Sequence, residues 1–306
     1  MVFAILKRLR ICVHLWLRFG SSAEFRKETS RPNCDLRKFG EVRLGRLPVA
    51  KLCQSSLTAT PRHPYYHGLM ACRMFGYCGK LESDVHALYS GLRRACANDP
   101  TLHAVAEGCS RHCHGWGYVI HADNGLFHYR TSRSIYEDDI ILPKLEGQIR
   151  AIFHGRFASN DTLLGHIFSH PFVTANSAEV IFLAHNGGVS PDPALERTVD
   201  SEWVLDEIAK NAEVTSVLPK LKEHTKSALN LLILKIGRAQ GTPASLDYFH
   251  FFKPKEPDKA AYYKLFVGSM PGGRALVSST FTLEEAKIAE LRDIQPANFD
   301  ALTTLG

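Results

Sequence analysis

The pattern of apolar and polar positions changes character near residue 71. Before that point no periodicity is sustained. Met1–Gly20 mixes apolar residues with Lys7, Arg8, Arg10 and Arg18, and Ser21–His67 is polar and basic with Pro32, Pro48, Pro61 and Pro64. After Met70 the chain breaks into short, punctuated elements. Arg73–Cys78 reads as a strand. Asp84–Ala97 places Val85, Leu88, Tyr89, Leu92 and Cys96 at helical spacing and is closed by Pro100. Gly115–His121 and Leu126–Tyr129 flank Asn124-Gly125, a dipeptide suited to a two-residue type I′ turn, and so predict a β-hairpin. Gln148–Phe157, Glu179–Ala184 and Leu229–Ile236 read as further strands. A helix capped by Asp200 or Ser201 would bury Val204, Leu205, Ile208 and Ala212. Tyr262–Gly268 and Ala275–Ser279 predict a second hairpin around Pro271-Gly272-Gly273. Strands mixed with helices, without βαβ alternation or an internal repeat, point to an α+β fold with antiparallel sheets.

Composition narrows the classes. The 306 residues are 45% apolar and 22% charged, which excludes fibrous and wholly disordered chains. No run of 18 apolar residues is present, so no membrane span is expected. The net charge of +6 is carried entirely by the first 71 residues, with 13 Lys/Arg against 4 Asp/Glu. Residues 72–306 hold 24 Lys/Arg against 27 Asp/Glu, so the body offers no electrostatic case for nucleic acid. All eight cysteines fall within the first 113 positions, unlike a disulfide-stapled secreted domain, and a cytoplasmic setting is expected. Met1–Gly20 lacks the unbroken apolar region of a signal peptide. Residues 1–71 are expected to be a poorly ordered basic extension, or to precede the real start at Met70. An Arg-rich arm lying on a membrane surface is a further possibility.

Several short segments carry potential chemistry: Cys72-Arg-Met-Phe-Gly-Tyr, His112-Cys113-His114-Gly115-Trp116-Gly117, His154-Gly155-Arg156-Phe157-Ala158-Ser159, Ser169-His170-Pro171-Phe172, Ala184-His185-Asn186-Gly187-Gly188 and Asp200-Ser201-Glu202. In this order they resemble the class II glutamine amidotransferase domain, an N-terminal-nucleophile hydrolase, in its compact stand-alone form. The resemblance runs from Cys72 to about Ser279. It implies a four-layer αββα sandwich over residues 72–306 and hydrolysis of the glutamine side-chain amide, giving glutamate and ammonia through a Cys thioester.

By this resemblance Cys72 is the nucleophile, with its own free α-amine as base. Asn186 and Gly187 form the oxyanion hole, Arg156 holds the substrate α-carboxylate with Ser159 beside it, and Asp200 receives the α-ammonium. The residue types suit these tasks, since a guanidinium fork pairs with a carboxylate and a developing oxyanion needs fixed donors. Plainer readings exist for each: Asn-Gly makes tight turns, Arg156 could be an exposed strand-end arginine, and Asp200 could be an ordinary helix cap. Loss of an initiator Met70 would leave Ala71 ahead of Cys72, so exposing the amine needs further trimming or self-cleavage. His114 stands where relatives often carry Asp. Cys109, His112, Cys113 and His114 cluster without the spacing of a zinc site, and no metal is expected. Without a phosphate-binding glycine loop, no nucleotide or other cofactor is expected. The ammonia acceptor, if there is one, would be a separate synthase subunit. A γ-glutamyl amide or peptide hydrolase, or a non-catalytic binding or regulatory protein in which Cys72 is never exposed, are the alternatives.

Overall fold

The computed structural model describes residues 71–158, 163–190 and 199–306. The expected basic extension therefore lies outside the described residues, and so does Ser159. The chain runs through β1 (Ala71–Gly79), α1 (Glu82–Ala97), β2 (Trp116–Ala122), β3 (Gly125–Thr131) and β4 (Ile149–Phe157). It continues with β5 (Phe172–Ala175), β6 (Glu179–Asn186), α2 (Asp200–Ala209), α3 (Val214–His224), β7 (Asn230–Gly237) and β8 (Ser245–Phe249). The last elements are α4 (Pro257–Tyr263), β9 (Leu265–Met270), β10 (Gly273–Ser278), β11 (Arg292–Pro296) and β12 (Leu302–Thr304).

Two antiparallel sheets form, one of seven strands in the order β11-β9-β10-β1-β4-β2-β3 and one of five in the order β12-β8-β7-β6-β5. Strand alternation sorts their side chains into layers. Phe75 and Tyr77 of β1, with Ala151 and Phe153 of β4, pack beneath Val85, Leu88 and Leu92 of α1. Met74 and Cys78 face the other way and meet Phe182, Ala184, Leu232 and Leu234 of the second sheet. Leu183, Leu231 and Ile233 point outward onto Val204, Ile208, Val217 and Leu221 of α2 and α3. The layer order is helix, sheet, sheet, helix: the αββα sandwich expected from the sequence. Each large aliphatic side chain buried between the sheets stabilises the fold by roughly 1.5–3 kcal/mol. Gly76 lets the sheets approach, because a Cβ there would lie 2.7 Å from Leu232 Cδ2.

Several boundaries differ from the sequence reading. The first hairpin turns at Asp123-Asn124, with Ala122 paired to Gly125. Both turn residues are tied to the segment before β4, Asn124 Nδ2 donating to Lys144 O and Gln148 N to Asp123 Oδ2. The second loop is the two-residue Pro271-Gly272, and Tyr262 belongs to α4, not to a strand. Helix α2 starts after Val199 without a side-chain cap. Asp200 accepts the Val189 N–H at 2.9 Å, outside its own helix. Ala212 lies beyond α2 and is exposed, because the helix stops at Ala209. Among the described residues no helix is long and apolar enough to cross a membrane.

Candidate active site

Three strands bring the expected residues to one end of the space between the sheets. Cys72 shares the face of Met74 on β1, Arg156 that of Ile152 on β4, and Asn186 that of Ala184 on β6. Cys72 is paired directly opposite Arg156. Its main-chain nitrogen donates to Asn186 Oδ1 at 3.1 Å, a bond between residues of different sheets. The thiol, fully buried, lies 4.0 Å from Phe157 O. Burial pushes that thiol up to about 11. The Phe157 carbonyl contact and the positive charge of Arg156 act the other way, and Asp200 adds to the rise.

Arg156 is not an exposed strand-end residue: it is 1% exposed. Its Nη1 donates to Leu163 O at 2.8 Å and its main chain is laddered to His114 and Gly115. Nε of Arg156 and Nδ2 of Asn186 are buried and have no hydrogen-bond partner among the described residues. Two donors are thus held ready for an acceptor beside Cys72. Burial lowers the Arg156 pKa, and the Cys72 thiol and Asp200 counter it electrostatically. Asp200 therefore lies within electrostatic reach of both groups. It is fixed by the Val189 N–H and by the Ser201 hydroxyl at 3.3 Å.

Gly187 has φ +145°, and a Cβ there would overlap the carbonyl oxygen of Ala228. Only glycine fits, so the turn after β6 is constrained both conformationally and sterically. The next residue is also pinned, with Gly188 N donating to Ser227 Oγ at 2.9 Å.

His154 and His185 have structural hydrogen-bond partners, whereas neither ring nitrogen of the buried His170 has one among the described residues. His185 faces the outer helices, with Nδ1 on Ser201 Oγ at 3.0 Å and Nε2 on Ala228 O at 3.3 Å. His154 contacts His185 O at 3.2 Å, and its ring lies tilted against that of His170 with centroids 4.2 Å apart. Burial lowers all three, His154 to about 3, so each is neutral at pH 7. His114 accepts the Ala158 N–H at 2.8 Å and packs on Phe157, which holds the end of β4 beside Arg156.

Sequence reasoning missed the network behind Cys72. Alternation turns Arg73 to the face opposite Cys72, where it is completely buried. Its Nε pairs with Asp99 Oδ2 at 2.6 Å, Nη1 donates to Tyr262 O at 3.0 Å and Nη2 to Thr101 Oγ1 at 2.6 Å. His112 Nε2 meets the same Asp99 oxygen at 2.8 Å. Burial alone would raise the Asp99 carboxyl, but Arg73 and the His112 hydrogen bond hold it far below the usual range. The signal was a charged residue inside a wholly buried strand, which must find a counterion. His112 and His114 thus serve separate contacts. Among the described residues no group of three or more His, Cys, Asp or Glu is placed to hold a metal ion.

No family model matches the chain, and no curated protein matches it. Solved structures match the chain, two of which are the following. One, described as the allosteric regulatory enzyme of purine biosynthesis, has TM-score 0.47 and 17% identity over 76% of this chain. The match spans 48% of that protein, about half its length. The other is described as a predicted glutamine amidotransferase from Pseudomonas aeruginosa PA01. It has TM-score 0.38 and 14% identity, covering 78% of this chain and 94% of the other.

Proposed function

We propose that this protein is a glutamine amidotransferase-type amidohydrolase that cleaves the side-chain amide of glutamine through Cys72. The observation that carries the proposal is the bond from the Cys72 nitrogen to Asn186 Oδ1, which leaves the buried Asn186 Nδ2 free beside the nucleophile, opposite Arg156.

The chemistry follows from those residues once the peptide bond before Cys72 is cut. The freed α-amine takes the thiol proton, and the thiolate attacks the amide carbon. Asn186 Nδ2 and the Gly187 N–H stabilise the oxyanion. The α-ammonium returns its proton to the leaving nitrogen, ammonia departs, and water hydrolyses the thioester. Arg156 and Asp200 bind the two charged groups of the glutamine main chain, with Ser159 assigned beside Arg156. An ammonia-consuming synthase would be a separate partner.

A second reading has its own support. In the chain as described, Ala71 is fully buried and paired with Phe157, and the Cys72 nitrogen is a peptide nitrogen. A protein that keeps this bond would be a non-catalytic binding or regulatory protein. N-terminal sequencing of the native protein, joined to a glutaminase assay, decides between them. A mature terminus at Cys72 with turnover supports the enzyme. Full activity from a chain shown intact by mass spectrometry would sink the terminal-amine mechanism.

A further inference from the structure

The first residues of β1 have a strand beside them on one side only. β4 pairs with β1 from Ala71 onward, whereas the ladder to β10 begins at Phe75, opposite Val277. Side chains stand in for the missing ladder. Ser278 Oγ accepts the Met74 N–H at 2.9 Å and donates to Met74 O at 3.1 Å. The Tyr262 hydroxyl donates to Cys72 O at 3.4 Å. Arg73 grips that same tyrosine: its guanidinium carbon lies 3.8 Å from the Tyr262 ring centroid, and Nη1 donates to Tyr262 O. Asp99 fixes the guanidinium in turn. Besides Arg73 Nε it accepts the Thr101 N–H and the hydroxyls of Thr101 and Thr280.

All three guanidinium nitrogens of Arg73 are therefore partnered, in a place with no solvent exposure. A buried ion pair is weak evidence for stability, because apolar side chains of similar volume often do as well. What a guanidinium adds is direction, through a rigid fork of donors. Cutting the peptide bond before Cys72 turns this one-sided strand end into a chain terminus, and chain ends are poorly ordered unless tied down. The proposed mechanism needs the amine and thiol of that terminus held within about 0.5 Å of their productive positions. We infer that Arg73, Asp99 and Tyr262 are positioning residues that hold the mature Cys72 terminus opposite Arg156 and in reach of Asn186. They act through Cys72 from the opposite face of β1, so their loss falls on kcat more than on substrate binding. The inference rests on the reading of Cys72 as the nucleophile.

The test uses the full gene expressed in its own host, with the purified protein's N-terminus read first. kcat and KM for glutamine are measured in wild type, Arg73→Lys, Tyr262→Phe and Val217→Ala, with thermal melting alongside. Arg73→Lys keeps the charge beside Asp99 and loses the fork. Its kcat should fall at least about tenfold with KM within about threefold, since a misplacement of about 1 Å can cost roughly 10²-fold. Tyr262→Phe keeps the ring under the guanidinium and removes the bond to Cys72 O, so kcat should fall at least about threefold with KM similarly unchanged. This variant carries the test if the lysine variant does not fold. Val217→Ala, in the outer layer under α3, lowers the melting temperature without touching the network and should keep wild-type kcat. Wild-type kcat in a folded Arg73→Lys makes the residue a counter-charge only. That result, wild-type kcat in Tyr262→Phe, a loss confined to KM, or an equal kcat loss in Val217→Ala overturns the inference and leaves the glutaminase reading standing. A wild-type protein that never exposes Cys72, or one that exposes it and turns over nothing, overturns both.

Discussion

The main-chain nitrogen of Cys72 and the side-chain oxygen of Asn186 are 3.1 Å apart, and their hydrogen bond ties the first strand of one sheet to the end of a strand in the other. The bond fixes which end of the Asn186 amide remains available. Asn186→Ala should lower kcat by about 10²- to 10³-fold, the usual loss for one oxyanion donor. Asn186→Asp should be at least as damaging, since a carboxylate beside the thiol opposes thiolate formation. Steady-state kinetics with circular dichroism as the folding check would test this. A variant retaining more than a tenth of wild-type kcat removes Asn186 from the oxyanion hole.

Arg156 makes its own prediction. Arg156→Ala should reduce kcat/KM for glutamine by roughly 30- to 1000-fold, the equivalent of about 2–4 kcal/mol for a charge-assisted fork. Arg156→Lys should recover little, because an ammonium cannot make two parallel bonds. The alanine variant also strands the Leu163 carbonyl, so a stability loss of about 1–3 kcal/mol should accompany it. Unchanged kcat/KM in a folded variant excludes Arg156 from substrate binding.

Gly187 separates the turn from the chemistry. Gly187→Ala forces a side chain onto the Ala228 carbonyl at a φ suited to glycine, so both stability and activity should fall. The conformational part alone costs on the order of 1–3 kcal/mol. Urea denaturation gives the stability and the glutaminase assay the activity. A variant as stable as wild type would show that the turn can relax.

Of the strands that carry the site, β6 was the most legible, because Val180–Ala184 is a continuous apolar run with polar residues at both ends. Edge and late elements were not legible. β11 is exposed at every position, so burial imposes no pattern on it, and α3 carries Pro219 inside the helix. The cap reading at Asp200 failed because local sequence cannot show that Val189, eleven residues earlier, returns to the same carboxylate. The resemblance named Cys72, Asn186 and Arg156. The Arg73–Asp99–His112 network depends on three segments meeting, and no spacing announces it.

Acid should destabilise the fold over a defined window. His154, lowered by burial to about 3, stays neutral in the native state, whereas in the unfolded chain it titrates near ~6.5. Its folded pKa lies below the unfolded one, so the unfolded state binds the extra proton between these values. The associated stability is fully present above about 6.5 and is lost as pH falls towards 3. At pH 5 this amounts to about 2 kcal/mol from His154 alone, and His170 and His185 act in the same direction. Denaturant unfolding from pH 7 to 4.5 should show the loss, and His154→Gln should reduce the slope by about 1.4 kcal/mol per pH unit. An unchanged slope would mean that His154 is protonated in the native state.

The last prediction concerns the base. His154, His170 and His185 all sit near site motifs, and a Cys–His pair is a common way to activate a thiol. The hydrogen bonds of two of them argue against that role here: His185 is engaged by Ser201 and the Ala228 carbonyl and His154 by the His185 carbonyl, while His170, its ring nitrogens without a partner among the described residues, lies tilted against His154 and edge-on to Phe172. The charges acting most on the Cys72 thiol are those of Arg156, Asp200 and Arg73. The α-amine of a mature Cys72 travels with the nucleophile and needs no such partner. Replacing each histidine in turn with Gln or Asn, which keeps hydrogen-bonding capacity, should leave at least a few per cent of glutaminase activity. Cys72→Ala should abolish it. Cys72→Ser should keep weak turnover, because the amine remains to activate a hydroxyl. The pH profile discriminates poorly, since an α-amine near ~7.7–8.0 and a histidine near ~6.5 both shift in a buried site. Mutation is therefore the decisive measurement: a histidine variant as inactive as Cys72→Ala, with its circular dichroism and melting intact, assigns the base to that imidazole and not to the chain terminus.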